Sequence, residues 1–81
     1  IPAGLPSIIK AWRIQDKAAK IGFDWPDINP VWNKVEEEIQ EMKEAVHSGN
    51  QQAIEEEMGD VLFSMINYAR FLNVDPDAAL E

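Results

Sequence analysis

Two acidic pairs, Glu38-x-x-Glu41 and Glu57-x-x-Asp60, are the side chains of this 81-residue chain best suited to chemistry. Residues three apart on a helix share a face, so each pair points two carboxylates in one direction. If both pairs lie on helices that pack as a hairpin, four carboxylates converge. At an effective dielectric of about 20 and separations of roughly 5 Å, each like-charge contact costs roughly 3 kcal/mol, so the cluster requires a cation or unusual protonation. Magnesium or manganese suits it, because hard divalent cations take oxygen ligands and keep positions for water and phosphate. With one histidine and no cysteine, zinc is disfavoured. His47 falls near a helix end, where an imidazole favours the negative dipole, and is read as structural.

The elements that must position these groups are helices. Ser7 is the candidate cap of a first helix whose apolar residues Ile8, Ile9, Trp12, Ala18, Ala19 and Ile21 recur at helical spacing, with Gly22 as its stop. Gly22 to Asn29 is rich in turn formers yet holds Phe23, Trp25 and Ile28, which predicts an ordered loop packed on the body. Asn29-Pro30 reads as cap and first position of helix two, with Val31, Val35, Ile39, Met42 and Val46 as its apolar stripe and an end near Ser48-Gly49. Helix three is expected from about Asn50 to Leu72, with Ile54, Met58, Val61, Leu62, Met65, Ala69 and Leu72 facing the core. Both acidic pairs border these stripes, which sets them apart from an ordinary solvated acidic face. Asp75-Pro76 opens a fourth helix, and the sequence is expected to continue past Glu81.

Other residues are candidates to meet a ligand. Lys34 shares the seam of Glu38 and Glu41 and suits either an ion pair with them or a phosphate. Trp25 is the best placed of three tryptophans to stack on a base, Lys17 flanks the loop and could meet phosphate, and Asn67 could hydrogen-bond a sugar or phosphate. Each also has a plain structural role available, in packing or on a helix surface.

In combination, Lys17-Ala-Ala-Lys-Ile-Gly-Phe-Asp-Trp-Pro-Asp27, Lys34-Val-Glu-Glu-Glu-Ile-Gln-Glu41, Glu55-Glu-Glu-Met-Gly-Asp-Val-Leu-Phe63 and Asn67-Tyr-Ala-Arg-Phe-Leu-Asn-Val-Asp-Pro76 resemble the MazG family of nucleoside triphosphate pyrophosphohydrolases, of the all-α NTP pyrophosphatase superfamily. The resemblance implies one MazG-like helical domain over residues 1–81, and an all-α subunit that builds a four-helix bundle with a second copy. It also implies magnesium-dependent hydrolysis between the α and β phosphates, yielding monophosphate and pyrophosphate. By motif position Glu38, Glu41, Glu57 and Asp60 would be the metal ligands, and Lys34 and Glu56 would line the nucleotide site. Glu37 or Glu56 would orient the attacking water. In the family the helix opened by Asp-Pro carries on into a segment that contacts phosphates, so the site is expected to be incomplete within these residues.

Composition narrows the alternatives. Seven basic against 15 acidic residues give a formal charge of −8, which argues against nucleic-acid or anionic-membrane binding. The absence of cysteine excludes disulfides and fits a cytoplasmic protein, and no apolar run is long enough to span a membrane. A chain this short has little core, which independently favours a homodimer. Two competing readings are a narrower dUTPase-like or phosphoribosyl-ATP pyrophosphohydrolase and a non-catalytic acidic interaction module. The Gly22-Phe-Asp-Trp-Pro stretch favours MazG over the former.

Overall fold

A computed structural model describes residues 7–81, arranged as four helices: α1 Ser7–Lys20, α2 Ile28–Ser48, α3 Gln51–Phe71 and α4 Pro76–Leu80. No strand occurs among the described residues, so the all-α reading holds. The two-residue turn Gly49-Asn50 folds α3 back along α2, and these two long helices make the main packing contact. α1 lies against α3, and the short α4 touches both α1 and α3.

Local chemistry sets the helix ends. Gly22 adopts φ 95°, and the amides of Gly22 and Phe23 bond back to the carbonyls of Ala19 and Ala18 at 3.1 and 2.9 Å, closing α1 with a Schellman motif. Asn73 does the same for α3 at φ 58°, with its own amide and that of Val74 returning to Arg70 and Ala69 at 3.1 and 2.9 Å. Asn50 and Asp75 cap α3 and α4 through side-chain oxygens, and Pro76 opens α4. The expected start of α2 is corrected. Asp27, not Asn29, is the cap, accepting from the Asn29 amide at 2.9 Å, and Pro30 sits inside the first turn, where a missing N–H removes no intrahelical bond.

The buried face of α2 is centred one residue away from the expected stripe. Val31 and Val35 are sealed at 1% and 0% exposure, and Glu38 and Ala45 are buried, while Val46 is exposed. On α3 the line through Ala53, Glu57, Ser64 and Asn67, read as a seam, turns toward the interior. Met58, Leu62, Met65 and Leu72, read as core, are exposed in the single chain, as is Ile21, which lies in the turn just past α1.

Candidate active site

One helical turn separates Glu38 from Glu41 on α2, and the hairpin brings Glu57 of α3 opposite them. One carboxylate oxygen from each lies within 4.8 Å of the other two. Glu38 is 6% exposed, its Oε1 lies 3.0 Å from Lys34 Nζ, and its Oε2 is buried with no hydrogen-bond partner. Glu57 Oε2 is likewise buried and unpartnered. Crowding moves the proton equilibria in the expected sense. The charge of Glu38 first, with burial and Glu57 behind it, holds Glu41 above the ordinary carboxylate range. Burial first, then the charges of Asp60 and Glu38, raises Glu57. The Lys34 ammonium is held protonated to higher pH chiefly by its hydrogen bond to Glu38.

Asp60 is exposed and stands outside this tight triad, yet it lines the adjoining groove together with Lys34 and Glu38. That groove, of about 410 Å³, runs between α1, the Gly22–Asp27 loop and the α2–α3 hairpin, and Trp25 and Asn67 also line it. Glu37 is more exposed, with Oε1 3.6 Å from Lys34 Nζ. Glu56 is turned away, lining a separate depression with Gln52, which donates to it at 3.4 Å, and Gly59. Lys17 is exposed on α1 and is not among the residues that line the groove. A different cleft of about 530 Å³, lined in part by Ile8, Trp12 and Val74, is mostly apolar and lies apart from the carboxylate triad.

Three groove residues escaped the sequence reading. Gln15 is buried, donates from Nε2 to the Phe63 carbonyl at 2.9 Å and leaves Oε1 unpartnered. Its place in the Ile8, Trp12, Gln15, Ala19 series, in line with the apolar stripe of α1, was the available signal. Arg70 and Asp24 form a two-pronged ion pair with a shortest distance of 2.6 Å, and this hydrogen bond keeps Asp24 below the usual carboxylate range. Arg70 follows Asn67 by one turn, but nothing in the spacing marked Asp24 as its partner.

The sequence profile of the MazG nucleotide pyrophosphohydrolase domain matches residues 30–81, from the first turn of α2 to the last residue. The chain belongs to the MazG family. It is 50% identical over 76 residues to the nucleoside triphosphate pyrophosphohydrolase/pyrophosphatase MazG of Thermotoga maritima, covering 94% of this chain and 29% of that protein. It is 47% identical over 83 residues to the nucleoside triphosphate pyrophosphohydrolase of Escherichia coli K12, covering 100% of this chain and 32% of that protein. The chain thus spans about a third of the length of these curated relatives. These alignments, unlike the profile match, also take in α1 and the loop that borders the groove.

The MazG carboxylates fit a hard divalent cation. All three donors are carboxylate oxygens within 4.8 Å of one another, and the buried Oε2 atoms of Glu38 and Glu57 lack any other partner. Among the described residues no helix is long and apolar enough to cross a membrane.

Proposed function

We propose that this chain carries a nucleoside triphosphate pyrophosphohydrolase site that cleaves between the α and β phosphates, yielding a nucleoside monophosphate and pyrophosphate. The observation that carries the reading is the triad of Glu38, Glu41 and Glu57 with two buried, unpartnered carboxylate oxygens, opening beside a groove that contains Lys34 and Trp25. Glu38, Glu41 and Glu57, with Asp60 at the groove edge, would hold Mg2+ or Mn2+. Bound there, such a cation neutralises phosphate oxygens and acidifies water.

The protein groups divide the remaining work. Lys34 is within reach of both the triad and the groove, so its ammonium can pass from Glu38 to a phosphate oxygen. Glu37, more exposed and adjacent to Glu38, is the candidate to orient water and take its proton. Glu56 is less suited, because it faces the opposite depression. Trp25 and Asn67 line the groove where base and sugar would lie.

A second copy of the chain completes the fold in this reading. Met58, Leu62 and Met65 recur at helical spacing on α3 and are 44%, 56% and 41% exposed, an apolar stripe suited to helix packing across a two-fold axis. The deciding experiment incubates the protein with magnesium and a panel of ribo- and deoxyribonucleoside triphosphates, beside Glu38→Gln. Monophosphate plus pyrophosphate, lost in the variant, is expected. Diphosphate plus phosphate, or no metal-dependent product, would overturn the assigned reaction.

A further inference from the structure

The Gly22–Asp27 loop has no regular structure, yet a nearly buried arginine from α3 anchors it. Arg70 Nη2 donates to Asp24 Oδ1 at 2.6 Å and Nη1 donates to Oδ2 at 3.3 Å. Nη2 and Nε also donate to Asn67 Oδ1 at 2.9 and 3.2 Å, and the guanidinium carbon lies 4.9 Å from the centroid of the Phe71 ring. The Arg70 side chain is only 13% exposed. Its three nitrogens are all committed and its charge is matched by Asp24, which leaves it poorly suited to bind phosphate itself.

The grip reaches the next residue directly. Asp24 Oδ1 also accepts from the Trp25 backbone amide at 2.9 Å, so the oxygen held by Arg70 fixes the backbone that carries the indole. Trp25 is 44% exposed and lines the groove that also contains Lys34, Glu38 and Asp60. Burial therefore does not fix this tryptophan. An exposed aromatic whose backbone is pinned by an ion pair presents a ready stacking face with less order left to impose on binding.

We propose that Arg70 is a positioning residue for the nucleobase: by gripping Asp24 it holds the loop so that the Trp25 indole stacks on the base of a bound nucleotide. This rests on the reading of the groove as a nucleotide site. Stacking uses the π face that every base has, so the effect extends to purines and pyrimidines alike.

The test separates base from phosphate and binding from turnover. Calorimetry with magnesium would measure binding of α,β-methylene ATP, which cannot be cleaved at the bond in question, and of inorganic triphosphate, which has no base. Arg70→Lys and Trp25→Ala should each weaken binding of the nucleotide analogue about tenfold, and the double variant should be no weaker than the worse single one. Inorganic triphosphate binding should stay within about twofold in all of them. With ATP itself, Arg70→Lys should raise KM about tenfold and leave kcat within about twofold. Asp24→Asn, on the exposed loop, should reproduce the Arg70→Lys pattern and guards against a folding defect at Arg70. Equal losses for analogue and inorganic triphosphate, multiplicative losses in the double variant, or no analogue binding by the unsubstituted protein would each overturn the proposal. Intact analogue binding without turnover would instead remove only the assigned reaction.

Discussion

Lys34 Nζ lies 3.0 Å from one oxygen of Glu38, while the other oxygen of the same carboxylate is buried without a hydrogen-bond partner. One half of a buried charge is thus compensated by a lysine four residues earlier on the same helix. The carboxylate also has an oxygen within 4.8 Å of one from each of Glu41 and Glu57, whose charges repel it. A buried carboxylate left in this state destabilises the fold unless a cation completes its surroundings. The hairpin by itself holds the three carboxylates together.

Glu38→Gln should remove most of the stabilisation that a divalent cation gives. At cation concentrations a hundredfold above the dissociation constant, the unsubstituted chain should gain about 2.7 kcal/mol. Thermal melts with and without magnesium read this gain. An undiminished shift in the variant would rule out Glu38 as a ligand.

Lys34→Ala tests the compensation from the other side. Lys34 is 43% exposed, so after allowance for solvent screening its loss should destabilise the metal-free chain by only about 1 kcal/mol. The magnesium-induced rise in Tm should then be larger than in the unsubstituted protein, because the cation replaces a missing positive charge. A smaller rise would mean that the lysine helps recruit the cation and does not substitute for it.

The pH dependence follows from Glu41 and Glu57. Crowding by Glu38 raises the former and burial raises the latter, so in the window from the ordinary value of about 4.3 up to the raised values the folded chain binds more protons than the unfolded chain. Stability without metal should therefore increase as pH falls through that window, and be lost as pH rises through it. Asp24 has the opposite sign: its contribution is present above its unfolded pKa and fades as pH falls through its lowered folded value. The metal-free optimum should lie on the acid side of neutrality, and magnesium should move it upward by competing with protons. Melting curves across pH, with magnesium and with chelator, would show a shared optimum if the carboxylates do not interact.

Helix number, the hairpin and the convergence of Glu38, Glu41 and Glu57 were legible because all of them follow from periodicity within single helices and one short turn. The direction that α3 faces was not. Its sequence is apolar over more than half its circumference, and the choice between burying Val61 or Leu62 depends on where α1 packs, a fact of tertiary structure. The same limit explains Gln15 and the Asp24–Arg70 pair, whose partners lie 48 and 46 residues away. Asp27 displaced Asn29 as the cap because both types serve, and local spacing does not choose between them.

Val35→Ala probes the small interior. Val35 is fully sealed between the long helices, and removing two methyl groups should destabilise the chain by about 2 kcal/mol through lost burial and a residual cavity. For a domain this size that corresponds to a fall of roughly 8–16 °C in Tm. A drop of only a few degrees would show that the helices close over the gap.

Met58, Leu62 and Met65 leave an exposed apolar stripe along α3. Among the described residues the buried hydrophobics are Val31, Val35 and Ala45, too few to hold four helices together with much margin. A second copy that covers the stripe would enlarge the core, and melting should then depend on protein concentration. Leu62→Glu places a charge in the middle of that surface without touching the carboxylate triad. Sedimentation equilibrium should show the unsubstituted chain at about twice its 9.2 kDa mass and the variant at the single-chain value, with a lower and concentration-independent Tm. A monomeric unsubstituted chain would overturn the expected dimer. An unchanged dimer in the variant would place the interface elsewhere on the helices.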